Sequence, residues 1–164
     1  MRVFAVTGYS GTGKTTLVES IIRALVNDGY SVATIKSSKH QAGLEEGSDT
    51  WKHMRAGASL AIFMGPSTEL ISFKKRLSAA ELVELSKQDF LIVEGMKSSN
   101  LPKFWCLGSS EILHDEIPQN TWAIVSWTEE AALPGLDLPV IISDELEKLV
   151  EIVKKRAVDF YEIE

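Results

Sequence analysis

The sequence has a single cysteine and no apolar run of membrane-spanning length, and both absences narrow its class. Cys106 has no partner for a disulfide within the chain, and one cysteine cannot build a cysteine-based metal cluster. We therefore expect a protein of a reducing cytoplasm, with Cys106 as a small, half-buried apolar residue in a strand rather than a nucleophile. Met1 leads directly into an apolar segment, so the sequence predicts no signal peptide.

An excess of positive charge is also lacking. The 17 Lys and Arg residues are outnumbered by 23 Asp and Glu residues, which gives a net charge of −6. This balance argues against non-specific binding of nucleic acid. Internal repeats, low-complexity tracts and long linkers are absent from the 164 residues, of which 45% are hydrophobic. We therefore expect one α/β domain that spans residues 1–164.

One stretch matches a known motif at every invariant position. Residues 8–16 read G-Y-S-G-T-G-K-T-T, which fits G-x-x-x-x-G-K-[ST], the phosphate-binding P-loop. The apolar residues 2–7 before it predict a buried strand, and the periodic apolar residues from Thr15 onward predict a helix. Glycines let backbone N–H groups turn toward a phosphate, and the start of the helix adds positive potential. The sequence therefore predicts a nucleotide-phosphate site.

Each residue type within this loop has an expected role. Lys14 would reach the β- and γ-phosphates, and the Thr15 hydroxyl would ligate Mg²⁺. The predicted phosphate-binding residues of the loop are Ser10, Gly11, Thr12, Gly13, Lys14, Thr15 and Thr16. The alternative, a glycine-rich turn that only caps an ordinary βα unit, is disfavoured by the strand and helix on either side.

Strand-like and helix-like segments alternate along the rest of the chain. Further strands are predicted at residues 31–35, 60–64, 69–73, 89–94, 104–107, 122–127 and 140–142, with helices at 49–56, after Ser78 and after Asp144. The turn Gly65-Pro66 joins two of these strands and predicts a hairpin. We therefore predict the three-layer P-loop NTPase fold, an α/β class, with a mostly parallel and partly mixed central sheet.

Two acidic residues come at positions where a bound nucleotide could use them. Glu94 ends an apolar strand, the Walker B pattern, in which an acid holds Mg²⁺ directly or through water. Asp is the commoner acid there, and Glu94 could instead end the strand facing solvent. Asp49 follows the loop after the second strand, so it could orient water or a metal ligand, or simply cap a helix. With Lys14, these two acids form the predicted catalytic set.

Several other polar residues are weaker candidates. Lys36, Lys39 and Lys97 lie on or beside loops at the carboxyl ends of strands and could contact phosphate, although surface lysines are common. His40 and His53 are too isolated in the sequence to predict a metal site, so we expect both to be solvated. The four tryptophans fall mostly on predicted strands, so we expect them to pack in the core or in an interface rather than to stack on a base.

Signatures for a particular base are missing. The sequence contains no N-K-x-D, and Gly8 is followed by Tyr9 instead of the signature lysine of the deviant P-loop ATPases. The residues alone therefore leave the base and any second substrate open. One rival is an ATP-dependent small-molecule ligase or kinase of the dethiobiotin-synthetase type. Another is a non-catalytic module in which the nucleotide switches a protein contact.

Taken together, several blocks point to one family. They are residues 8–16, Ile35-Lys36, the G-S-D-T of 47–50 with the R-A-G-A of 55–58, and the V-E-G-M-K of 93–97. These blocks, in this spacing, resemble molybdopterin-guanine dinucleotide biosynthesis protein B (MobB) over nearly the whole chain. The P-loop block is shared by many families, whereas the acid-containing blocks are more specific.

The resemblance implies a GTP-binding, weakly hydrolysing homodimer of the cytoplasm. Proteins of this family work beside a partner, MobA, which joins GMP to molybdopterin. On this basis Thr15 and Glu94 are expected at Mg²⁺, and Asp49 is favoured as a nucleotide-site residue. Lys36 and Lys97 match family blocks and are expected to contact phosphate or pterin.

The chain departs from the family pattern in two places. After the second strand the family often carries His-His-Asp, whereas this chain has Lys39-His40-Gln41. The missing acid removes a possible metal or water-positioning group, which bears on hydrolysis and not on binding. The stretch after Val125 also differs from the pattern expected at the base site, so guanine specificity depends on the family resemblance.

Overall fold

The computed structural model describes residues 1–38, 45–65, 70–72, 75–76, 79–108, 117–128, 135 and 137–162. The strands are β1 Arg2–Gly8, β2 Val32–Ser37, β3 Leu60–Met64, β4 Leu70–Ser72, β5 Lys75–Arg76, β6 Phe90–Glu94, β7 Lys103–Cys106, β8 Thr121–Ser126, β9 Val140–Ile142 and β10 Val158–Asp159. The helices are α1 Lys14–Asn27, α2 Asp49–Arg55, α3 Ala79–Ser86 and α4 Leu146–Arg156. No helix within these ranges is long and apolar enough to span a bilayer.

All ten strands found in the described part of the chain belong to one sheet. Its order is β5-β4-β3-β2-β6-β1-β7-β8-β9, and β10 pairs with the start of β1. Every pair from β3 to β9 along this order is parallel, whereas β3–β4, β4–β5 and β1–β10 are antiparallel. The predicted hairpin of β3 and β4 and the mostly parallel, partly mixed sheet are confirmed. The two-residue strands β5 and β10 were not anticipated from the sequence.

Helices cover both faces of the sheet. Alternate residues of β1 point to opposite sides because side chains in a strand have a period of two. Phe4 and Val6 pack in a core with buried residues of α1 and α4. Val3 and Ala5 lie in a second core, against which Leu85 of α3 packs. The predicted three-layer arrangement is therefore confirmed.

Helix α1 holds the P-loop firmly against the sheet. Its apolar stripe recurs at helical spacing, and five members are at most 1% exposed: Leu17, Val18, Ile21, Ile22 and Leu25. Complete burial of one such side chain contributes about 1.5–3 kcal/mol. Helix α1 is thus anchored to the sheet by a large apolar contact along its length, and this contact fixes the position of the P-loop at its N-terminus.

Parallel pairing brings the polar ends of three strands to one edge. Lys36 of β2 pairs with Glu94 of β6, and Glu94 pairs on its other side with Val6 of β1, two residues before the P-loop begins. The carboxyl ends of β1, β2 and β6 therefore meet where open parallel sheets bind ligands.

Three local expectations need correction or fall outside the described residues. Cys106 is completely buried rather than half-buried, and burial raises the pKa of its thiol to about 12. Trp127 lies immediately after β8 and not within it. The helix predicted after Ser78 is α3, and Ser78 itself lies outside the described residues.

Candidate functional site

The P-loop connects β1 to α1 as a tight turn stabilised by its own side chains. Thr12 Oγ1 donates to the carbonyl oxygen of Tyr9 at 2.9 Å, and Lys14 Nζ donates to the same oxygen at 2.5 Å. Burial lowers the pKa of Lys14, while the charge of Glu94 opposes that shift. The Lys14 ammonium therefore lies over the turn, at the positive end of α1. A phosphate bound there would contact both the ammonium and the N–H groups at the start of the helix.

Gly13 is required at the start of α1 for two reasons. Its φ of +79° is a left-handed conformation that other residues adopt only at a cost. A Cβ atom built on it would also lie 2.4 Å from ring carbons of Trp127, well inside van der Waals contact. The indole therefore occupies the space that a side chain at position 13 would need.

A cluster of two acids, one hydroxyl and one ammonium lies beside the turn. Thr15 Oγ1 is 2.9 Å from Glu94 Oε1 and 3.1 Å from Asp49 Oδ1. Lys36 Nζ is 2.5 Å from the same oxygen of Glu94 and 2.7 Å from Asp49 Oδ2. The structure thus brings together four of the residues singled out from the sequence, and we call Thr15, Lys36, Asp49 and Glu94 the acid–lysine cluster.

Asp49 is part of this cluster and does not cap its helix. The N-cap of α2 is Ser48, whose side chain accepts a hydrogen bond from Trp51 N at 3.3 Å. Asp49 is the first residue of α2, and its carboxylate reaches Thr15 and Lys36. The helix-capping alternative for Asp49 is therefore wrong.

His53 was expected to be solvated, and this expectation is wrong. Its side chain is 0% exposed, with Nε2 3.0 Å from Glu94 Oε2 and Nδ1 3.1 Å from Thr34 Oγ1. An ionised carboxylate only accepts, so Nε2 donates to Glu94. A signal was available in the spacing, since Asp49 and His53 are four residues apart and share one face of α2.

The two oxygens of Glu94 therefore have different partners. Oε2 is bonded to His53, whereas Oε1 faces Thr15 and Lys36. Burial acts to raise the pKa of Glu94, but the hydrogen bond from His53 and the charge of Lys36 outweigh it and lower that pKa to about 2. Burial likewise acts to lower the pKa of Lys36, but the neighbouring carboxylates of Glu94 and Asp49 raise it. Glu94 is thus ionised and oriented at neutral pH.

The residues of the cluster fit a Mg²⁺ ion that is completed by phosphates and water. No group of three or more His, Cys, Asp or Glu side chains among the described residues forms a metal cage. Mg²⁺ needs no such cage, because it binds through one or two carboxylates plus substrate phosphates and waters. Thr15 Oγ1 and Glu94 Oε1, the carboxylate oxygen that faces Thr15 and Lys36, supply oxygen ligands of the type that this ion prefers.

The turn after Glu94 depends on a glycine. Gly95 has a φ of +102°, and a Cβ atom there would lie 2.7 Å from the carbonyl oxygen of Ser37. The backbone after β6 therefore passes close against the end of β2. This close approach holds the carboxylate of Glu94 next to Lys36.

Solvent reaches the cluster through an open cavity. The cavity, of about 240 Å³, lies between the end of β2 and the start of α2. It is lined by Lys36, Ser38, Gly47, Ser48, Asp49, Thr50 and Phe63. The cavity thus borders two members of the acid–lysine cluster, Lys36 and Asp49.

The other predicted residues lie around the cluster and not in it. Lys97 is exposed, and its Nζ lies 4.6 Å from the centre of the Tyr9 ring, at the rim of the P-loop. Ser10, Gly11 and Thr16 are exposed on the turn and the first turn of α1. Lys39, His40 and Gln41, where the chain departs from the family pattern, lie outside the described residues.

A buried lysine that the sequence did not reveal supports the segment carrying Lys97. Lys103, at the start of β7, is completely buried, and burial lowers its pKa. Its Nζ donates to the carbonyl oxygens of Ser99 at 2.5 Å and Lys97 at 3.1 Å. No sequence pattern marks this lysine, because its partners are main-chain oxygens.

Comparison with known proteins agrees with this geometry. Residues 3–127 match the family model described as molybdopterin guanine dinucleotide synthesis protein B, MobB. This chain belongs to the MobB family. The matched span includes the P-loop and the whole acid–lysine cluster, and it ends at Trp127. The predicted family and the P-loop NTPase fold are thereby confirmed.

Individual relatives extend the MobB match. A Bacillus subtilis (strain 168) protein named "Probable molybdopterin-guanine dinucleotide biosynthesis adapter protein" is 28% identical over 149 residues, which cover 87% of this chain and 86% of that protein. The molybdopterin-guanine dinucleotide biosynthesis adapter protein of Haemophilus influenzae is 35% identical over 62% of this chain and 60% of its own length. The crystal structure of Bacillus subtilis MobB superposes with a TM-score of 0.64 at 25% identity, covering 96% of this chain and 99% of that one.

Proposed function

We propose that this chain is a GTP-binding adapter protein of molybdenum cofactor biosynthesis. The observation that carries the proposal is the acid–lysine cluster assembled beside Lys14 at the start of α1. A phosphate-binding turn next to two oriented carboxylates and a hydroxyl is the arrangement that a Mg²⁺-nucleotide requires. The pathway and the adapter role come from the names of the relatives.

In this proposal the nucleotide is held mainly by charge and by backbone amides. The N–H groups of the turn and Lys14 bind the phosphates, with Ser10, Thr12 and Thr16 around them. Thr15 and Glu94 would hold Mg²⁺, which when bound neutralises charge on the phosphate oxygens. Lys36, now paired with both acids, would also face the terminal phosphate.

We propose that any GTP hydrolysis is weak. Both acids of the cluster are already engaged by Lys36, so neither is a free base for water. Rate enhancement would come from positioning and from charge stabilisation by Lys14, Mg²⁺ and the backbone amides. The same observation favours a second candidate, an adapter in which bound nucleotide switches a protein contact without turnover.

The proposal extends to partners. We infer a homodimer in the cytoplasm that contacts a molybdopterin nucleotidyltransferase of the MobA type, as the family resemblance implies. Lys97, at the rim of the P-loop beside Tyr9, would contact phosphate or pterin. The net charge of −6 does not favour nucleic acid as a partner.

Isothermal titration with GTP and with ATP, in Mg²⁺ and in EDTA, tests the proposal. We expect GTP to bind more tightly than ATP, and Lys14→Ala to weaken GTP binding by about 100-fold or more, because a charge-assisted contact is lost. Lys155→Ala is the matched control, since that lysine is exposed on α4 and should leave affinity unchanged.

Several outcomes would count against the proposal. A clear preference for ATP would favour the ligase or kinase alternative over a GTP-binding adapter. Unchanged GTP affinity in Lys14→Ala would refute the site itself. Phosphate release measured on the same samples separates weak hydrolysis from none, and light scattering reports whether the chain is a dimer.

A further inference from the structure

Trp127 is fixed against the P-loop from the side of β8. The residue follows the last residue of β8, and its indole Nε1 donates to the carbonyl oxygen of Thr12 at 2.9 Å. The ring also packs against Gly13, the N-cap of α1. Yet Trp127 is 40% exposed. A large aromatic side chain is therefore held rigidly at the phosphate-binding turn with part of its surface open to solvent.

The strand order indicates which part of a ligand would meet this ring. The acid–lysine cluster lies on the side of β1 occupied by β6 and β2, whereas β8 lies on the opposite side, beyond β7. A triphosphate whose metal-binding end faces Thr15 and Glu94 has its other end directed away from them. That end carries the sugar and the base, and Trp127 lies on its side of the turn.

We propose that the exposed indole of Trp127 is a platform on which the base of the bound nucleotide stacks. This inference rests on the proposed nucleotide-binding function and names the residue that holds the base. Indole rings present a broad π-face at low entropic cost, and the bond to Thr12 already orients this one. The sequence contains no N-K-x-D motif, whose side chains would bind a base through hydrogen bonds. Stacking on an aromatic ring is another way to hold a base.

Base stacking on Trp127 has a specific consequence for the selectivity between GTP and ATP. Every base has a π-face, so stacking on an aromatic side chain adds affinity with little discrimination among bases. Loss of the Trp127 ring should therefore weaken GTP and ATP by the same factor. Any preference between the two nucleotides must come from other groups.

The competing explanation is that Trp127 only anchors the turn through its hydrogen bond to Thr12. Two variants separate the two roles. Trp127→Gln keeps an N–H donor and removes the ring, whereas Trp127→Phe keeps a ring and removes the donor. Inorganic tripolyphosphate is the third reagent, because it has the phosphates of the nucleotide without sugar or base.

We expect Trp127→Gln to bind GTP and ATP about 10-fold more weakly or worse, with unchanged affinity for tripolyphosphate. Trp127→Phe should bind all three within about threefold of the unaltered protein. The inference is overturned if Trp127→Gln weakens tripolyphosphate as much as GTP, since the residue then acts only on the turn. It is also overturned if Trp127→Gln leaves GTP affinity unchanged.

The unaltered protein distinguishes failure of this inference from failure of the proposed function. If it binds GTP and tripolyphosphate equally well, the phosphate site stands and the base platform does not exist. If it binds neither, the proposed function fails and the platform fails with it. Quenching of tryptophan fluorescence by GTP that is present in the unaltered protein and absent in Trp127→Phe would support the inference independently.

Discussion

Lys36 determines the charge balance of the site at the scale of single residues. Its ammonium group lies between Asp49 and Glu94, and Glu94 is completely buried. A buried carboxylate without a cation is costly, because desolvation penalises the charged form. The lysine thus stabilises the folded chain.

Replacement of Lys36 tests its contribution to folding stability. We expect Lys36→Met to lower the free energy of unfolding by about 3 kcal/mol, because it removes one partner from a largely buried ion pair and retains the apolar stem. Urea denaturation at neutral pH measures the loss. Added Mg²⁺ should raise the melting temperature more in this variant than in the unaltered protein, because two carboxylates then lack their ammonium.

Lys52→Met is the matched control for that change. Lys52 lies 3.8 Å from Asp49 and is 40% exposed, so its loss should cost less than about 1 kcal/mol. Equal stabilities of the Lys36 and Lys52 variants would contradict the role assigned to the ammonium of Lys36.

At the scale of elements, β1 has different neighbours along its length. It pairs with β6 on one side throughout Arg2–Val6, whereas on the other side β7 begins to pair only at Ala5. The short β10 pairs with Arg2 and Val3, the residues that β7 does not reach. The chain after α4 therefore completes the hydrogen bonding of the strand that carries the P-loop.

Removal of β10 should weaken the fold and spare the site. We expect a chain that ends at Ala157 to lose about 2 kcal/mol of stability, or roughly 4–8 °C in melting temperature, because backbone pairing with β1 and the packing of Val158 are lost. Its GTP affinity should stay within about twofold, since the P-loop is at the other end of β1.

A chain that ends at Asp159 provides the comparison for this truncation. It retains both residue pairs with β1 and loses the contact of Phe160 N with the Met1 carbonyl oxygen. Its stability should lie closer to that of the intact protein. A fully stable chain ending at Ala157 would show that β10 contributes nothing.

The parts of the fold that the sequence predicted correctly are those with local patterns. The P-loop, the strand ending in Glu94 and the stripe of α1 each follow from residues close together in the chain. The β10 strand has only two residues and exists through its pairing with β1, so no periodicity marks it. The role of His53 depends on Thr34 and Glu94, which other strands bring to it.

Asp49 is a second residue whose contacts could not be predicted from local sequence patterns. The sequence placed it at the start of a helix near the phosphate site, which left capping and site contact equally open. The register that sets Lys36 opposite Glu94 decides between them, because it places an ammonium within reach of Asp49. The role of Asp49 could not be predicted from the sequence, because it depends on how β2, β6 and α2 are arranged in the folded protein. The single-domain boundary at 1–164 and the binding, metal-ligating and catalytic roles of the predicted site residues stay predictions.

At the scale of the whole molecule, the stability of the fold should depend on pH through Glu94. Its pKa is about 2 in the folded protein and 4.5 ordinarily, so the folded state favours the ionised form. That contribution is complete above pH 4.5 and is lost as the pH falls toward 2. The two values correspond to about 3 kcal/mol in total, of which about 2 kcal/mol is gone by pH 3.

Acid titration of stability measures this contribution. We expect the free energy of unfolding of Glu94→Gln to fall less steeply between pH 5 and pH 3 than that of the unaltered protein, by about 2 kcal/mol across the interval. Glu147→Gln serves as a control, because that residue is exposed on α4. Parallel pH profiles of the unaltered protein and Glu94→Gln would show that Glu94 is not held ionised by its neighbours.

The ammonium of Lys103 has a consequence for the crossover between β6 and β7. It donates hydrogen bonds to the main-chain oxygens of Lys97 and Ser99, both of which lie in this crossover. The segment that carries Lys97, at the rim of the P-loop, is therefore held by a buried side chain of β7. An exposed lysine beside the P-loop thus owes its position to a second, buried lysine on the neighbouring strand.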